Sequence, residues 1–122
     1  MKRILVIDDD DQVRSLLRDM LELAGYQVVD APNGKAGARL YRQSPTDLVI
    51  TDIFMPEKEG LETIRELRQD FPEVKIIAIS GGGRMGDFAY LPAAEKFGAL
   101  RTFVKPFDLH QLLSAVRELL GE

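Results

Sequence analysis

The chain has 122 residues, of which 45% are hydrophobic and 30% charged, a composition that suits one soluble globular domain. It contains no cysteine, which excludes disulfides, thiolate metal sites and cysteine nucleophiles, and its net charge of −4 argues against general nucleic-acid binding. No apolar run approaches the roughly 20 residues of a membrane span, and the N-terminus does not resemble a signal peptide, so we expect a cytoplasmic protein without membrane attachment.

The first part of the chain alternates short apolar runs with amphipathic segments. Ile4–Ile7 and Gln27–Val29 predict buried strands. Between them, apolar side chains from Val13 to Ala24 recur at helical spacing, and Gly25 is suited to end that helix. A weaker helical pattern, with a thin apolar stripe, covers Lys35–Arg42.

The same alternation continues to the C-terminus. The predicted elements are, in order, strand Asp47–Thr51, a helix marked by Leu61, Ile64 and Leu67, strand Lys75–Ile79, a glycine-rich loop at Gly81–Gly86, a helix within Asp87–Phe97, strand Thr102–Val104 and a helix along Leu109–Leu120. Pro92 falls within the fourth helix, so that helix either begins near Leu91 or is kinked. Asp108 is a suitable N-cap for the last helix.

The order of these elements predicts the fold. Five buried strands that alternate with five helices indicate an α/β protein with a parallel sheet covered on both faces by right-handed crossovers. We expect a flavodoxin-like (βα)5 doubly wound sheet with strand order 2-1-3-4-5, formed as a single domain by residues 1–122. Its switch point would lie between the first and third strands.

Polar side chains are expected where these strands end. Asp8 and Asp9 follow the first strand, Asp52 the third, Ser80 the fourth and Lys105 the fifth. Three carboxylates converging in the crevice would repel each other unless a cation neutralised them, and an all-oxygen site of this kind suits Mg²⁺. An aspartate beside a divalent metal, a lysine and a hydroxyl is equipped to attack phosphorus and hold an acyl phosphate.

Each of these residues also has a purely structural interpretation. Asp8 to Asp11 could cap the first helix and complement its dipole, and for Asp10 and Asp11 this is the favoured interpretation. Ser80 alone would be an ordinary turn serine, and Lys105 alone an ordinary strand-end lysine. The joint arrangement at the strand ends is what favours a functional site.

Several segments, taken together and in order, closely resemble the receiver domain of two-component response regulators. They are Ile4–Asp10, Asp47–Pro56 with Gly60 following, Ile79–Ser80 and Val104–Phe107. The resemblance covers essentially the whole chain. It implies a signalling domain and not an enzyme, which takes a phosphoryl group from a sensor histidine kinase or a histidine phosphotransfer protein and signals by phosphorylation-dependent contact with a downstream protein, without binding nucleic acid itself.

The resemblance also implies a role for each acidic residue of the predicted site. Asp52 would be the phosphoacceptor, and Asp8 and Asp9 would be the acidic pair. Asp9 and Asp52 would bind Mg²⁺ directly, together with the backbone carbonyl of Phe54.

On the fourth and fifth strands, the resemblance implies two further functional residues and reveals one departure. Ser80 would be the switch hydroxyl, and Lys105 the phosphate-contacting lysine, joined to Pro106 by a cis peptide bond. The family usually has an aromatic switch residue three positions before the lysine, where this chain has Thr102. Phe103 is aromatic, but strand alternation directs it to the other face. The usual output mechanism is therefore open.

Three other interpretations of the same pattern fit the sequence less well. A flavodoxin-like flavin binder would need a hydroxyl- and glycine-rich phosphate loop where this chain has four aspartates. A haloacid-dehalogenase-like phosphatase would use Asp8 and Asp10, but Gln12 stands where its motif needs threonine or valine, and Asp52 would lose its role. A pseudo-receiver would be a binding module that no longer takes phosphate. No effector is visible, so we expect either a stand-alone receiver or the receiver of a longer regulator.

Overall fold

The structure is a computed structural model that describes residues 1–53, 59–80 and 90–122, with the backbone alone at residues 59, 90 and 91. Strands and helices alternate along the chain as predicted. The elements are β1 (Arg3–Ile7), α1 (Asp11–Leu23), β2 (Gln27–Ala31), α2 (Gly34–Gln43), β3 (Leu48–Asp52), α3 (Glu59–Asp70), β4 (Ile76–Ser80), α4 (Tyr90–Phe97), β5 (Arg101–Val104) and α5 (Leu109–Leu119).

The strands form one parallel sheet in the order β2-β1-β3-β4-β5, which confirms the predicted flavodoxin-like order. The chain proceeds outward in one direction from β1 to β2 and in the other from β3 to β5. This reversal opens a crevice at the carboxyl ends of β1 and β3, where such folds bind ligands.

Helices cover both faces of the sheet, because its strands are apolar on both faces. Leu5 and Val49 belong to the core that α2, α3 and α4 cover. Ile4 and Ile50, the neighbouring residues along the same strands, belong to the core under α1 and α5. The sheet is thus packed between two layers of helices, which fix the positions of the carboxyl ends of its strands.

Several helix ends follow the local signals of the sequence. The side chains of Asp10, Asn33 and Asp108 accept hydrogen bonds from the first amides of α1, α2 and α5, respectively. Gly25 follows α1 with a φ of +98°, a conformation that favours glycine. Pro92 is the third residue of α4 as the structure describes it, and the residues before Tyr90 lie outside the described part of the chain.

Three element boundaries differ from the prediction in ways that bear on the site. The helix α3 already begins at Glu59, within the segment predicted as a polar loop. The strands β3 and β4 each extend one residue further than predicted, to Asp52 and Ser80. They do so because backbone pairing continues to the strand ends, where Asp52 pairs with Ile79 and Ser80 with Val104.

The predicted glycine-rich loop at Gly81–Gly86 lies outside the described residues. Across the ranges that the structure describes, every helix is too short or too polar to cross a membrane.

Candidate functional site

The carboxyl ends of β1 and β3 bring two buried aspartates together. Ile7 pairs with Thr51 across these strands, so Asp8 follows β1 beside the end of β3 at Asp52. The amide of Asp8 donates to the carbonyl oxygen of Ala31 over 3.2 Å, which continues the pairing with β2. The exposed fraction is 1% for Asp8 and 3% for Asp52. Burying two carboxylates is unfavourable unless other charges balance them.

Asp9 joins the two buried carboxylates in one acidic cluster. Carboxylate oxygens of Asp8, Asp9 and Asp52 all lie within 4.8 Å of one another. Asp9 is exposed, so the cluster opens to solvent on that side. A set of carboxylate oxygens with an open side suits Mg²⁺, which keeps several of its waters. The three residues therefore fit the predicted metal. Phe54, whose carbonyl is the remaining predicted ligand, lies outside the described residues.

Lys105 directly follows β5, the strand at one edge of the sheet, and its side chain extends to the same two buried acids. Its amide donates to the carbonyl oxygen of Ser80 over 2.8 Å, which extends the pairing of β5 with β4. Its Nζ lies 2.9 Å from Oδ2 of Asp8 and 3.2 Å from Oδ2 of Asp52. The peptide bond to Pro106 is cis, as the resemblance implied. One ammonium is thus shared by two carboxylates.

Burial and neighbouring charges together shift the pKa of both Asp8 and Lys105. Burial raises the pKa of the Asp8 carboxyl, and the hydrogen bond from the Asp10 amide and the charge of Lys105 offset this only in part. Burial alone would lower the pKa of Lys105, but its hydrogen bond to Asp8 and the charge of Asp52 outweigh burial and raise it. The site thus holds two buried carboxyls against one lysine, and a bound cation would relieve the repulsion that remains between them.

Gly60 lets α3 begin directly against the end of β3. A Cβ at this position would lie 2.3 Å from the carbonyl oxygen of Asp52 and 2.4 Å from Cα of Ile53. Both contacts are closer than any side chain tolerates, and both are with backbone atoms that cannot easily move. Only glycine therefore permits this packing against the strand end that carries Asp52.

Ser80 and Thr102 occupy the remaining positions that the sequence singled out. Ser80 is fully buried at the end of β4, the strand next to β3. Thr102 pairs with Ala78 in the middle of β5, and Phe103 packs against the core under α1 and α5. The aromatic ring therefore lies on one face of the sheet, and alternation along the strand places Thr102 on the other.

Asp10 and Asp11 serve α1, as their structural interpretation predicted. Oδ1 of Asp10 accepts hydrogen bonds from the amides of Gln12 and Val13, so Asp10 is the N-cap. Asp11 forms an ion pair with Arg14 at 2.6 Å. A phosphatase of the haloacid-dehalogenase type would need Asp10 in its chemistry, and here the Asp10 carboxylate accepts hydrogen bonds from the first amides of α1.

One residue near the site was not found from the sequence. Nη1 of Arg14 donates to the carbonyl oxygen of Asp8 over 2.8 Å, on the peptide that joins Asp8 to Asp9. The available signal was its position in the first turns of a helix that begins directly after an acidic cluster. This signal is weak, because an arginine there pairs as readily with a neighbouring acid such as Asp11.

Comparison with known proteins agrees with this geometry. The response regulator receiver domain family matches residues 4–117. The chain is 36% identical over 119 residues to the chemotaxis protein CheY of Thermotoga maritima, with 97% of each chain covered. It is 34% identical over 120 residues to the response regulator receiver protein CpdR of Brucella abortus, with 98% of each covered.

Solved structures extend the likeness to the backbone. A response regulator receiver domain protein from Clostridium thermocellum superimposes with a TM-score of 0.90 at 29% identity, over 99% of this chain and 95% of the other. The family match at residues 4–117 spans all five strands of the sheet. By sequence and by fold, the chain belongs to the receiver domains of two-component response regulators.

Proposed function

We propose that residues 1–122 form one receiver domain that accepts a phosphoryl group on Asp52 in a Mg²⁺-dependent reaction. Phosphorylation-dependent signalling is the role of this family. The observation that carries the proposal is the setting of Asp52, a buried carboxylate that meets Asp8 and Asp9 within 4.8 Å and accepts a hydrogen bond from Lys105. A carboxylate so placed has a nucleophilic oxygen, a cation site and an ammonium in one crevice.

In the proposed reaction, an oxygen of Asp52 attacks phosphorus. The new O–P bond forms as the bond from phosphorus to the donor breaks, and an acyl phosphate remains on Asp52. Mg²⁺ bound by the acidic cluster would neutralise charge on the phosphoryl oxygens. Lys105, which already contacts Oδ2 of Asp52, would turn to a phosphoryl oxygen, and Ser80 would donate a further hydrogen bond from the neighbouring strand.

Receiver domains take phosphate from histidine kinases, and we propose a sensor histidine kinase or a histidine phosphotransfer protein as the donor for this chain. The phosphorylated domain would then act by contact with a downstream protein. Acceptance of a phosphoryl group modifies the domain itself, so the proposal involves no turnover of a separate substrate.

Intact mass after incubation with a small phosphoryl donor tests the proposal. Acetyl phosphate with Mg²⁺ should add one phosphoryl group to the parent. Phosphoramidate should do the same, because its P–N bond resembles that of a phosphorylated histidine. The Asp52→Asn variant should remain unmodified with either donor.

Asp10→Asn is the matched control, because it removes a carboxylate that caps a helix and leaves the cap able to accept hydrogen bonds. It should be modified like the parent. An adduct that persists in Asp52→Asn, or that forms fully in excess chelator, would contradict the assignment of Asp52 as a Mg²⁺-dependent phosphoacceptor. A parent that gains no mass with either donor would instead make the chain a pseudo-receiver.

A further inference from the structure

We propose that Arg14 is a positioning residue for the acidic pair, because it holds the peptide between Asp8 and Asp9 so that both carboxylates face one cation. The inference rests on the proposed function, in which these acids serve a metal. It assigns to α1 a part in the site that is separate from its packing on the sheet.

The hydrogen bond from Arg14 acts at the one peptide that both acids share. Its Nη1 lies 2.8 Å from the carbonyl oxygen of Asp8, and that carbonyl belongs to the peptide unit that continues to Asp9. A rotation of this peptide would turn Asp9 away from the cluster. A donor fixed on the carbonyl oxygen opposes that rotation.

Asp9 depends on its backbone more than Asp8 does. The carboxylate of Asp8 is held from two sides, by the amide of Asp10 at 2.8 Å and by Lys105 at 2.9 Å. The carboxylate of Asp9 is exposed and accepts no hydrogen bond within the described part of the chain. Its direction is therefore set by the peptide that Arg14 holds.

The guanidinium of Arg14 is itself held in place. Its Nη2 lies 2.6 Å from Oδ1 of Asp11, and its Nε lies 4.0 Å from Oδ2 of Asp30 on β2. The side chain is only 17% exposed, and Nε is buried without a hydrogen-bond partner among the described residues. Burying that donor is unfavourable. The planar guanidinium offsets this loss, because its two Nη atoms donate to a carbonyl oxygen and to a carboxylate at the same time. A lysine ammonium has no such planar pair of donors.

Arg18 offers a closely matched control on the same helix. It pairs with the same Asp30 at 3.0 Å, and it donates to the carbonyl oxygen of Val28 at 2.9 Å. None of its described contacts involves the acidic cluster. Arg14→Ala and Arg18→Ala therefore each remove one guanidinium charge from α1, and only Arg14→Ala frees the Asp8–Asp9 peptide.

The first experiment is calorimetric titration of Mg²⁺ into the full chain. Residues that orient metal ligands typically change metal affinity about tenfold or more, so Arg14→Ala should weaken Mg²⁺ binding about tenfold. Loss of positive charge alone acts in the opposite direction, so Arg18→Ala should bind Mg²⁺ as tightly as the parent or slightly more tightly. Arg14→Lys keeps the charge and loses the planar guanidinium, so its Mg²⁺ affinity should lie between those of the parent and Arg14→Ala.

The second experiment needs no metal. The amide nitrogen of Asp9 belongs to the peptide whose carbonyl oxygen Arg14 binds. In NMR spectra, the nitrogen chemical shift of Asp9 should therefore change in Arg14→Ala and Arg14→Lys and stay the same in Arg18→Ala. Thermal unfolding of each variant separates positioning from a loss of stability.

The outcomes distinguish this inference from the proposed function. A parent that binds no Mg²⁺ would overturn the proposed function, and the Asp9 resonance would still decide whether Arg14 holds the peptide. The inference is wrong if folded Arg14→Ala leaves that resonance unchanged, if it binds Mg²⁺ within about twofold of the parent, or if Arg18→Ala weakens binding equally.

Discussion

The Lys105 ammonium donates a hydrogen bond of 3.2 Å to the Asp52 carboxylate, so the proposed phosphoacceptor is paired with a cation of the protein itself. The same ammonium lies 2.9 Å from Asp8. A bound divalent cation would have to share these two carboxylates with Lys105. We therefore expect Lys105 to compete with the metal for these carboxylates as long as Asp52 carries no phosphoryl group.

Lys105→Met tests this competition. Without the ammonium, Mg²⁺ no longer competes with Lys105 for Asp8 and Asp52, so we expect it to bind about tenfold more tightly, equivalent to about 1.4 kcal/mol. In chelator, the free energy of unfolding should fall by about 3 kcal/mol, because two buried carboxylates lose the lysine that balances their charge. Titration calorimetry and urea unfolding with and without Mg²⁺ measure the two effects.

The control for this variant is Lys75→Met. Lys75 donates to the carbonyl oxygen of Leu119 at the opposite end of the sheet. The Lys75→Met variant therefore removes a lysine charge that lies far from the acids. Its Mg²⁺ affinity should match that of the parent. Weaker binding by Lys105→Met would mean that the lysine supports the metal site and does not compete with it.

Gly60→Ala should distort the end of β3. The new methyl group would meet the backbone of Asp52 and Ile53, so we expect a loss of about 1–3 kcal/mol in unfolding free energy, despite the better helix propensity of alanine. The rate of modification by acetyl phosphate should also fall, because the strand end carries the acceptor. Urea unfolding and intact mass over time give the two readouts.

Gly37→Ala is a useful comparison for the Gly60 variant, because it is also a helical glycine. Its Cβ would lie 2.3 Å from Cδ1 and 2.6 Å from Cγ1 of the buried Ile7, and a side chain can change its rotamer more readily than a backbone can move. We therefore expect a smaller loss of stability and an unchanged rate of modification. Equal effects in the two variants would refute a specific role for the contact between Gly60 and Asp52.

Asp10→Ala should destabilise the chain without disabling the metal site. Removing an N-cap lowers the free energy of unfolding by about 1 kcal/mol, whereas Asp10→Asn keeps an accepting oxygen and should stay close to the parent. Urea unfolding of both variants measures the cap, and Mg²⁺ titration should give nearly the same affinity for both. A large loss of affinity common to both would make Asp10 a part of the metal site.

Tyr26 makes the fold sensitive to alkali. Its hydroxyl donates to Oε1 of Glu122, and burial, together with this bond and the charge of Glu122, raises the pKa of Tyr26 from 10.0 to about 12. The phenol thus keeps its proton in the folded chain at pH values where the unfolded chain has lost it. Its contribution to stability is complete below pH 10 and is lost as the pH rises from 10 to about 12.

Tyr26→Phe should therefore lose less stability than the parent between these pH values. Urea midpoints of both proteins at pH 9, 10, 11 and 12 measure this, and the difference between parent and variant should shrink across that range. A difference that stays constant with pH would show that Tyr26 does not titrate as its surroundings indicate.

Local patterns in the sequence were sufficient for most of the elements and for their order. Apolar runs such as Ile4–Ile7 are recognisable as doubly covered strands without any partner in view. Asp108 and Gly25 act on helix ends within a few residues of themselves, so their positions also predict what they do. The strand order was predicted because five strands alternating with helices in a chain of this length suit a flavodoxin-like sheet, and the structure confirms it.

The contacts inside the site were decided only by the tertiary structure. The hydrogen bond from Lys105 to Asp8 joins residues 97 positions apart. The hydrogen bond from Arg14 to the Asp8 carbonyl depends on how α1 lies against the end of β1, and the presence of an arginine at position 14 does not predict it. A cap or a helical turn forms between neighbours in the chain, so the sequence itself determines it. A hydrogen bond between separate strands needs the register and packing of the whole sheet before its donor and its acceptor can meet.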